Sequence, residues 1–501
     1  MNRGRTAGGV PYHPRKRRFQ GPVTSKKLSE IFDGCYDFEL RELELPCGIG
    51  VRLCFIDGLT SGKEIAEYII RPLTERERFG QAVDSKQVAE LMVSGWTYGY
   101  TVKLRQGLED TVEDLLNGFC AVVFDDIGSA VTFEVRTGEK RSIDEPKEEK
   151  PMKGSRDVFI EILKINSMLV RRRLHEPMLR FVPLTVGRRT RTMVTVVYIE
   201  GLTNRALVRE MRRRLEDIDI DAVNSAGSIE QYICDSPGCP FPQLLRTERP
   251  DRFAANLLEG RVGVLIDGLP IGLLAPATLV QFLKMPEDNA YHYVVSSVLT
   301  LLRFMALLLS LLLPAVYVAV AMYHQEMLPT RLMMTMIESK QSVPFPAAIE
   351  TIGMLMAFEI LQEAGLRLPE TVGQTVSIIG ALIVGQSAVE AKVVSPIVVI
   401  VVALSGIAGY TTPNTDLSAA VRLWRFIFVI AATCGGFFPL AAAFCLMLYR
   451  LCSLESFGAE YMYPFSSGGV REMLRAALKL PMPAEKLRWR ETRTVDKRKQ
   501  R

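Results

Sequence analysis

Residues 373–389, GQTVSIIGALIVGQSAV, form an uncharged run in which glutamine, serine, threonine and glycine interrupt an apolar sequence. In a helix, successive side chains are about 100° apart, so the small and polar residues of this run gather on one half. That half contains Gly373, Gln374, Ser377, Gly380, Ala381, Val384, Gly385, Ser387 and Ala388. The opposite half is mainly bulky and apolar, so the predicted helix has two chemically different faces.

Two uses of the small face are open. Small residues let helices approach closely in lipid, which would make the face a packing surface. Alternatively, identical helices from several subunits turn the face toward a shared axis and leave a weakly polar water path, narrowed by Val384. The lining residues of such a path would be Gln374, Ser377, Ala381, Val384 and Ala388. The residue pattern alone favours packing.

Two glutamates flank this run. Glu370 precedes it and Glu390 follows it, and in a ring of subunits each would form an acidic ring that concentrates cations. The structural alternatives are a favourable negative charge at a helix N-terminus for Glu370 and a local pair with Lys392 for Glu390. Both interpretations remain open.

The sequence offers no arrangement for catalysis or metal binding. Its nine cysteines form no CxxC pair, and the closest two, Cys234 and Cys239, have no histidines nearby. The four histidines are scattered along the chain. The stretch GLTSGKE at 58–64 has three residues between its glycines and places Glu64 where a phosphate loop needs Ser or Thr. We therefore predict neither an enzyme nor a protein with a metal or cofactor.

The small face would be positioned by a membrane domain. Four uncharged stretches are each long enough to cross about 30 Å of hydrocarbon at about 1.5 Å per residue. They are Phe304 to Tyr323, Val372 to Val389, Val393 to Thr415 and Phe426 to Tyr449. Arg303, at the entrance of the first, is expected to reach lipid headgroups.

A fifth stretch, Pro344 to Ala364, is apolar in the main but carries three glutamates. Burial of Glu350, Glu359 and Glu363 in lipid would be costly unless they face protein or water. Glu359 and Glu363 are four residues apart, so they share a helix face and are expected to meet water or a basic partner such as Arg367. We predict that this stretch is re-entrant or buried in protein.

The two ends of the chain are basic. Residues 1–27 hold eight Lys and Arg, no acid and no apolar segment, which predicts a disordered arm suited to anionic headgroups rather than to nucleic acid. The tail after Tyr449 is also rich in Arg and Lys. Because positive segments tend to stay in the cytoplasm, both ends are expected there, and the number of spans should be even.

The region before the spans repeats itself. LCFIDGLT at 53–60 is matched by VVYIEGLT at 196–203, and LLNGFCAVVFDD at 115–126 by LLEGRVGVLIDG at 257–268. The offsets are 143 and 142 residues, and each copy has the pattern of a small α/β unit. The predicted organisation is a basic arm at 1–27, α/β subdomains at 28–136 and 155–290 with a charged linker at 137–154, a membrane domain at 291–450 and a basic cytoplasmic tail at 451–501. The fold class is thus an α/β cytoplasmic region of two related subdomains followed by an α-helical, multi-span membrane domain of about four spans.

Six segments occur in an order that resembles the A-subunit family of bacterial spore germinant receptors. They are FPQLLRTERPD at 241–251, EGRVGVLIDGLP at 259–270, YHQEMLPTRL at 323–332, VPFPAAIE at 343–350, EAGLRLPE at 363–370 and the run at 373–389. The resemblance covers roughly residues 39 to 450. One departure is the lack of an aromatic residue directly after Asp288, so no role is carried over to that stretch.

The resemblance implies a multi-pass protein of the spore inner membrane, with its terminal regions facing the spore core. Its partners would be a transporter-like B subunit, a lipoprotein C subunit and further copies of itself, with a pentamer as one candidate. Such a subunit would form an ion channel that opens on nutrient sensing, and this implication favours the pore interpretation of residues 373–389. The alternatives are a stage V sporulation AF-type channel that amplifies germination, and a membrane-anchored scaffold without its own pore.

Overall fold

We describe a computed structural model of the chain, which covers residues 19–97, 101–136, 149, 154–367 and 385–499. Two α/β units are followed by a helical region and a folded tail. The prediction of α/β units ahead of a helical region is confirmed. Residues 19–27, which the sequence groups with the basic arm, begin the first unit, since Val23 is buried and α1 starts at Ser25.

The first unit contains a five-stranded antiparallel sheet in the order β1-β2-β4-β5-β3. Its strands are β1 (Phe38–Glu44), β2 (Gly50–Ile56), β3 (Val102–Arg105), β4 (Phe119–Phe124) and β5 (Ser129–Glu134). Its helices are α1 (Ser25–Ile31), α2 (Gly62–Glu64), α3 (Arg71–Glu75), α4 (Glu77–Gly80), α5 (Ser85–Leu91) and α6 (Leu108–Leu116), with π-helical turns at Ile65–Ile70 and Met92–Trp96.

Helices cover both faces of this sheet. Side chains alternate along a strand, so Val122 and Phe124 of β4 enter one core while Ala121 and Val123 enter the other. All six residues of β4 are buried, which explains its unbroken apolar sequence.

The second unit repeats this arrangement, with the sheet order β6-β7-β9-β10-β8. Its strands are β6 (Leu179–Val186), β7 (Thr192–Ile199), β8 (Leu245–Thr247), β9 (Val262–Ile266) and β10 (Gly272–Ala275). Its helices are α7 (Leu163–Arg173), α8 (Arg205–Glu216), α9 (Ala226–Ile233), α10 (Pro250–Leu258) and α11 (Leu279–Leu283), with a 3₁₀ turn at Pro286–Asn289.

The helical region packs around its longest helix. Its helices are α12 (Tyr293–Tyr323), α13 (Thr330–Lys340), α14 (Ala347–Arg367), α15 (residues 385–390), α16 (Pro396–Tyr410), α17 (Thr415–Gly435) and α18 (Phe437–Ser453). Helix α12 contacts α14, α16, α17 and α18. Among the described residues, α12 and α17 are long and apolar enough to cross a membrane, whereas α16 and α18 are apolar but shorter.

The predicted span from Phe426 to Tyr449 is not one helix. Gly436 divides it, with φ at 74°, into the end of α17 and the start of α18. A Cβ atom on Gly436 would lie 2.6 Å from His324 Cε1, so the close turn requires glycine. The apolar run from Phe426 to Tyr449 therefore forms the turn end of a helical hairpin, with its first part in α17 and its second part in α18.

The tail folds back onto the second unit. It contains β11 (Glu455–Ser456), β12 (Ala459–Glu460), α19 (Val470–Ala477) and a 3₁₀ turn at Met482–Ala484. Ser456 Oγ donates to Gln243 O at 2.7 Å and accepts from Ala277 N at 3.0 Å. Arg261, fully buried, pairs with Glu491 near the end of the chain. The tail is thus part of the folded second unit.

Candidate functional site in the helical region

Small residues hold the helices of this region close together. A Cβ atom on Gly406 of α16 would meet Phe358 of α14 at 2.5 Å, and one on Gly409 would meet Ser310 Oγ of α12 at 3.1 Å. At the start of the α15 segment, a Cβ on Gly385 would lie 3.3 Å from Val399 Cγ1. Glycine therefore sets the spacing of α16 from three neighbours.

Helix α14 places its first glutamate in the interior. Glu350 is 2% exposed, and its Oε2 accepts a hydrogen bond from Ser395 N at 2.7 Å. Ser395 is the N-cap residue of α16, so the carboxylate satisfies a backbone donor at the start of that helix. The Glu350 side chain thereby fixes α14 to α16.

The second glutamate of α14 faces two arginines of α17. Glu359 Oε2 lies 3.2 Å from Arg422 Nη1, and its other oxygen pairs with Arg425. The Arg425 side chain is 2% exposed and that of Glu359 is 21% exposed, so the arginine is buried within the bundle and the glutamate is partly exposed. The partners of Glu359 are therefore on α17, whereas the sequence suggested Arg367 on its own helix.

The predicted lining residues are only partly within the described chain. Gln374, Ser377, Ala381 and Val384 lie outside the described residues, as does Glu370. Ala388 is half-buried on the side of α15 that carries Gly385 and faces α16, and its carbonyl accepts from Val393 N at 2.9 Å.

Glu390 lies at the end of α15 and is exposed. Its Oε1 accepts a hydrogen bond from Gln386 Nε2 at 3.0 Å. Gln386, Ser387 and Glu390 are all exposed, so they form a polar side of α15 opposite the α16 contact.

Charged contacts join the helical region to the second α/β unit. Arg303 of α12 forms a two-bond pair with Asp288 at 2.7 and 2.9 Å, and both side chains are largely buried. The Arg303 guanidinium is therefore bound to Asp288 within the protein, whereas the sequence had suggested that it would reach lipid headgroups. Arg246 of β8 lies 3.4 Å from Asp416 in the first turn of α17.

Two titratable groups beside these contacts have displaced pKa values. Burial raises the pKa of Glu230 to about 7, opposed by Arg246 and assisted by Asp416. Burial lowers the pKa of Lys284 to about 8, opposed by Glu485 and Glu491 of the tail. Both groups therefore titrate near neutral pH at the boundary between the second unit and its neighbours.

Buried ion pairs between distant segments are the features that sequence reasoning missed. Asp37 of the first unit accepts from Arg171 of α7 at 2.6 and 2.9 Å, with both side chains almost fully buried. The residues are 134 positions apart, and neither belongs to a recognisable motif. Within the described residues, no three His, Cys, Asp or Glu side chains come together as a metal site.

Comparison with known proteins gives one consistent family. The sequence profile of the Bacillus/Clostridium GerA spore germination protein family matches residues 26–491. Spore germination protein KA of Bacillus subtilis (strain 168) is 38% identical over 463 residues, which cover 90% of this chain and 84% of that protein. Spore germination protein GerLA of Bacillus cereus is 34% identical over 458 residues, which cover 91% and 92% of the two chains.

A solved structure matches the N-terminal half. It is the crystal structure of the N-terminal domain of the A subunit of the Bacillus megaterium spore germinant receptor GerK3. The match has 27% sequence identity and a TM-score of 0.41, and covers 53% of this chain and 99% of that one.

Proposed function

This chain belongs to the GerA family of spore germination proteins, and we propose that it is the A subunit of a nutrient-germinant receptor whose copies form an ion channel. The observation that carries the proposal is the family match over residues 26–491, which includes both α/β units, the helical region and most of the tail. The similar proteins are named for spore germination rather than for a catalysed reaction.

In this proposal the helical region crosses the spore inner membrane several times, and the α/β units and the tail face the spore core. Two features support this placement. Helices α12 and α17 are long and apolar enough to span, and α18 carries the basic residue Arg450 in its last turn, on the side of the α/β units. The tail that follows Arg450 packs on the second unit, so both lie on one side of the membrane.

The proposed ion path uses the small face of residues 373–389. Gln374, Ser377, Ala381, Val384 and Ala388 would line it, and Glu370 and Glu390 would form acidic rings at its two ends. The exposed position of Glu390 supports a water-facing end of the path. Ala388, which is half-buried, would lie where the path is adjacent to α16.

The proposed assembly contains further copies of this chain, a transporter-like B subunit and a C-subunit lipoprotein. This part of the proposal is supported by the family match and by the resemblance of the sequence segments. Nutrient binding by the assembly would open the channel, and release of ions would then start germination.

The test is potassium release from spores that carry Val384→Ala, measured before and after nutrient is added. Removal of two methyl groups at the predicted constriction should permit release without nutrient or at much lower nutrient. The matched control is Val389→Ala, which makes the same deletion on the predicted bulky face. Protein abundance is checked by blotting in both strains.

Wild-type release by a Val384→Ala protein of wild-type abundance would contradict the proposed lining and leave the small face as a packing surface. Equal leakage from both variants would also contradict it, because the defect would then reflect loosened packing rather than a widened path.

A further inference from the structure

A groove of about 580 Å³ lies between the second α/β unit and the α17–α18 hairpin. The loop between α9 and β8 forms one wall through residues 236–241. The two helices form the other wall through Leu423, Trp424, Ile427, Leu446 and Arg450. The groove is therefore at the end of the hairpin that is nearest the α/β unit.

The helical wall is apolar and accessible. Leu423, Ile427 and Leu446 are between 38% and 55% exposed. Ile430, also exposed, lies three residues beyond Ile427 and seven beyond Leu423, so it extends the same helix face away from the groove. An apolar track about 10 Å long thus leads from the groove along α17.

The other end of the groove is polar and basic. Arg450 and Ser453 lie in the last turns of α18 and line the groove together. The Arg450 side chain is exposed and forms no ion pair with any residue in the described chain. Since Arg450 is the one charged residue of the lining, the groove has an uncompensated positive charge.

Aromatic residues lie at this level of the hairpin, as expected for a boundary between apolar and aqueous surroundings. Trp424 lines the groove and stacks at 6.5 Å on Phe241, while Tyr449 beside Arg450 is 69% exposed. Trp and Tyr gather where hydrocarbon meets headgroups. Beyond this level toward Gly436, α17 carries no charged residue after Arg425.

We propose that the groove binds an anionic phospholipid. The headgroup phosphate lies against Arg450 and Ser453, and an acyl chain follows Leu423, Ile427 and Ile430. This inference rests on the membrane placement in the proposed function, but it does not depend on an ion path.

The combination of one cation and an apolar track selects a lipid over a free anion. Inorganic phosphate would contact only the polar end and would gain nothing from the track. A zwitterionic lipid would follow the track but would offer Arg450 no net charge. The site therefore predicts preference for an anionic headgroup together with dependence on the apolar wall.

The test uses the purified full-length chain in neutral detergent, with bound lipid counted by native mass spectrometry. Phosphatidylglycerol is compared with phosphatidylcholine of the same acyl chains. Arg450→Gln should weaken phosphatidylglycerol binding about ten-fold and leave phosphatidylcholine binding unchanged. Leu446→Trp, which fills the apolar wall, should weaken both lipids.

The matched control is Arg471→Gln, which removes another exposed arginine from the tail, outside the groove lining. It should bind both lipids as the wild type does. Thermal unfolding of each variant verifies that it is folded.

Equal binding of the two lipids by the wild type, or an equal loss in Arg450→Gln and Arg471→Gln, would overturn the proposal. Full competition of phosphatidylglycerol by inorganic phosphate would overturn it in favour of a free-anion site. Because the readout is lipid binding, a negative potassium-release result for Val384→Ala would leave this conclusion unchanged.

Discussion

The two α/β units share one strand order but differ in what surrounds them. The first unit has its own cores on the two faces of its sheet, and one of these cores also includes Met168 from α7 of the second unit. In the second unit, one core is continuous with the helical region and the tail, from Phe253 through Val318 and Phe428 to Tyr461. The same fold therefore packs against a second α/β unit in one copy, and in the other it shares a core with the helical region and the tail.

The contrast extends to one equivalent glycine. In the first unit, Gly118 (φ 81°) lies beside Leu59 O and the Arg136 side chain, where the chain leaves the sheet. In the second unit, Gly260 (φ 84°) lies beside Leu202 O and Thr494 of the tail. In the second unit, the tail at Thr494 thus occupies the position that the chain at Arg136, just after the last strand, occupies in the first unit.

The largest expected effect comes from breaking the tail contact with Arg261→Ala. Glu491 would remain with 4% of its side chain exposed and without its partner, which should destabilise the second unit by about 3–5 kcal/mol. Thermal unfolding of the purified chain and trypsin cleavage of the tail measure this.

Lys497→Ala, an exposed change in the same tail, is the control. Equal tail cleavage in the wild type and Arg261→Ala would show that the second unit does not depend on its tail, and the contrast between the units would be lost.

A pH effect of up to about 3 kcal/mol is expected from Glu230. Its pKa is about 7 in the folded chain and 4.5 in its ordinary state, so the folded state binds the extra proton between these values. The contribution of Glu230 to the free energy of unfolding should be largest below pH 4.5 and should decrease as the pH rises from 4.5 to 7. Melting temperatures at pH 5 and pH 7.5 measure the difference.

Glu230→Gln should reduce that difference in melting temperature, since the amide does not titrate. An unchanged pH dependence of the melting temperature in Glu230→Gln would show that other groups cause the effect. Titration of Glu230 would then have no part in the stability of the junction with α17.

Alanine at the two equivalent glycines should cost about 1–2 kcal/mol each, because both have positive φ. Gly260→Ala should in addition displace Thr494 and increase trypsin cleavage of the tail, whereas Gly118→Ala should not. Identical tail cleavage in the two variants would contradict the assigned role of the tail.

The smallest effect is expected at exposed ion pairs. Arg71 pairs with Glu75 in the first unit and Arg213 with Asp217 in the second, all more than half exposed. Alanine at either arginine should leave the melting temperature unchanged within error, because solvent screens such pairs. A clear loss in only one unit would mean that surface charge contributes to the difference between them.

Much of the fold followed from local patterns. The repeat at offsets of 142 and 143 residues predicted the α/β units, because apolar strands and the glycines after them leave a direct trace in sequence. The partner of Glu359 was not predicted. The helical period relates residues about four positions apart, whereas Arg422 and Arg425 are more than 60 positions from Glu359 in the sequence. The split of Phe426 to Tyr449 depended on the contact of Gly436 with His324, which hydropathy does not record.

The sequence by itself determined the α/β character and the apolar helices, since these depend on side-chain size and on the periods of helix and strand; the small face of residues 373–389 stays a prediction of the same kind. The tertiary structure decided which buried charges meet, as in Asp37 with Arg171 and Arg261 with Glu491. It also placed the tail on the second unit. A buried charge requires an opposite charge or hydrogen-bond partners, and which segments come together is set by the packing of the whole chain rather than by neighbouring residues.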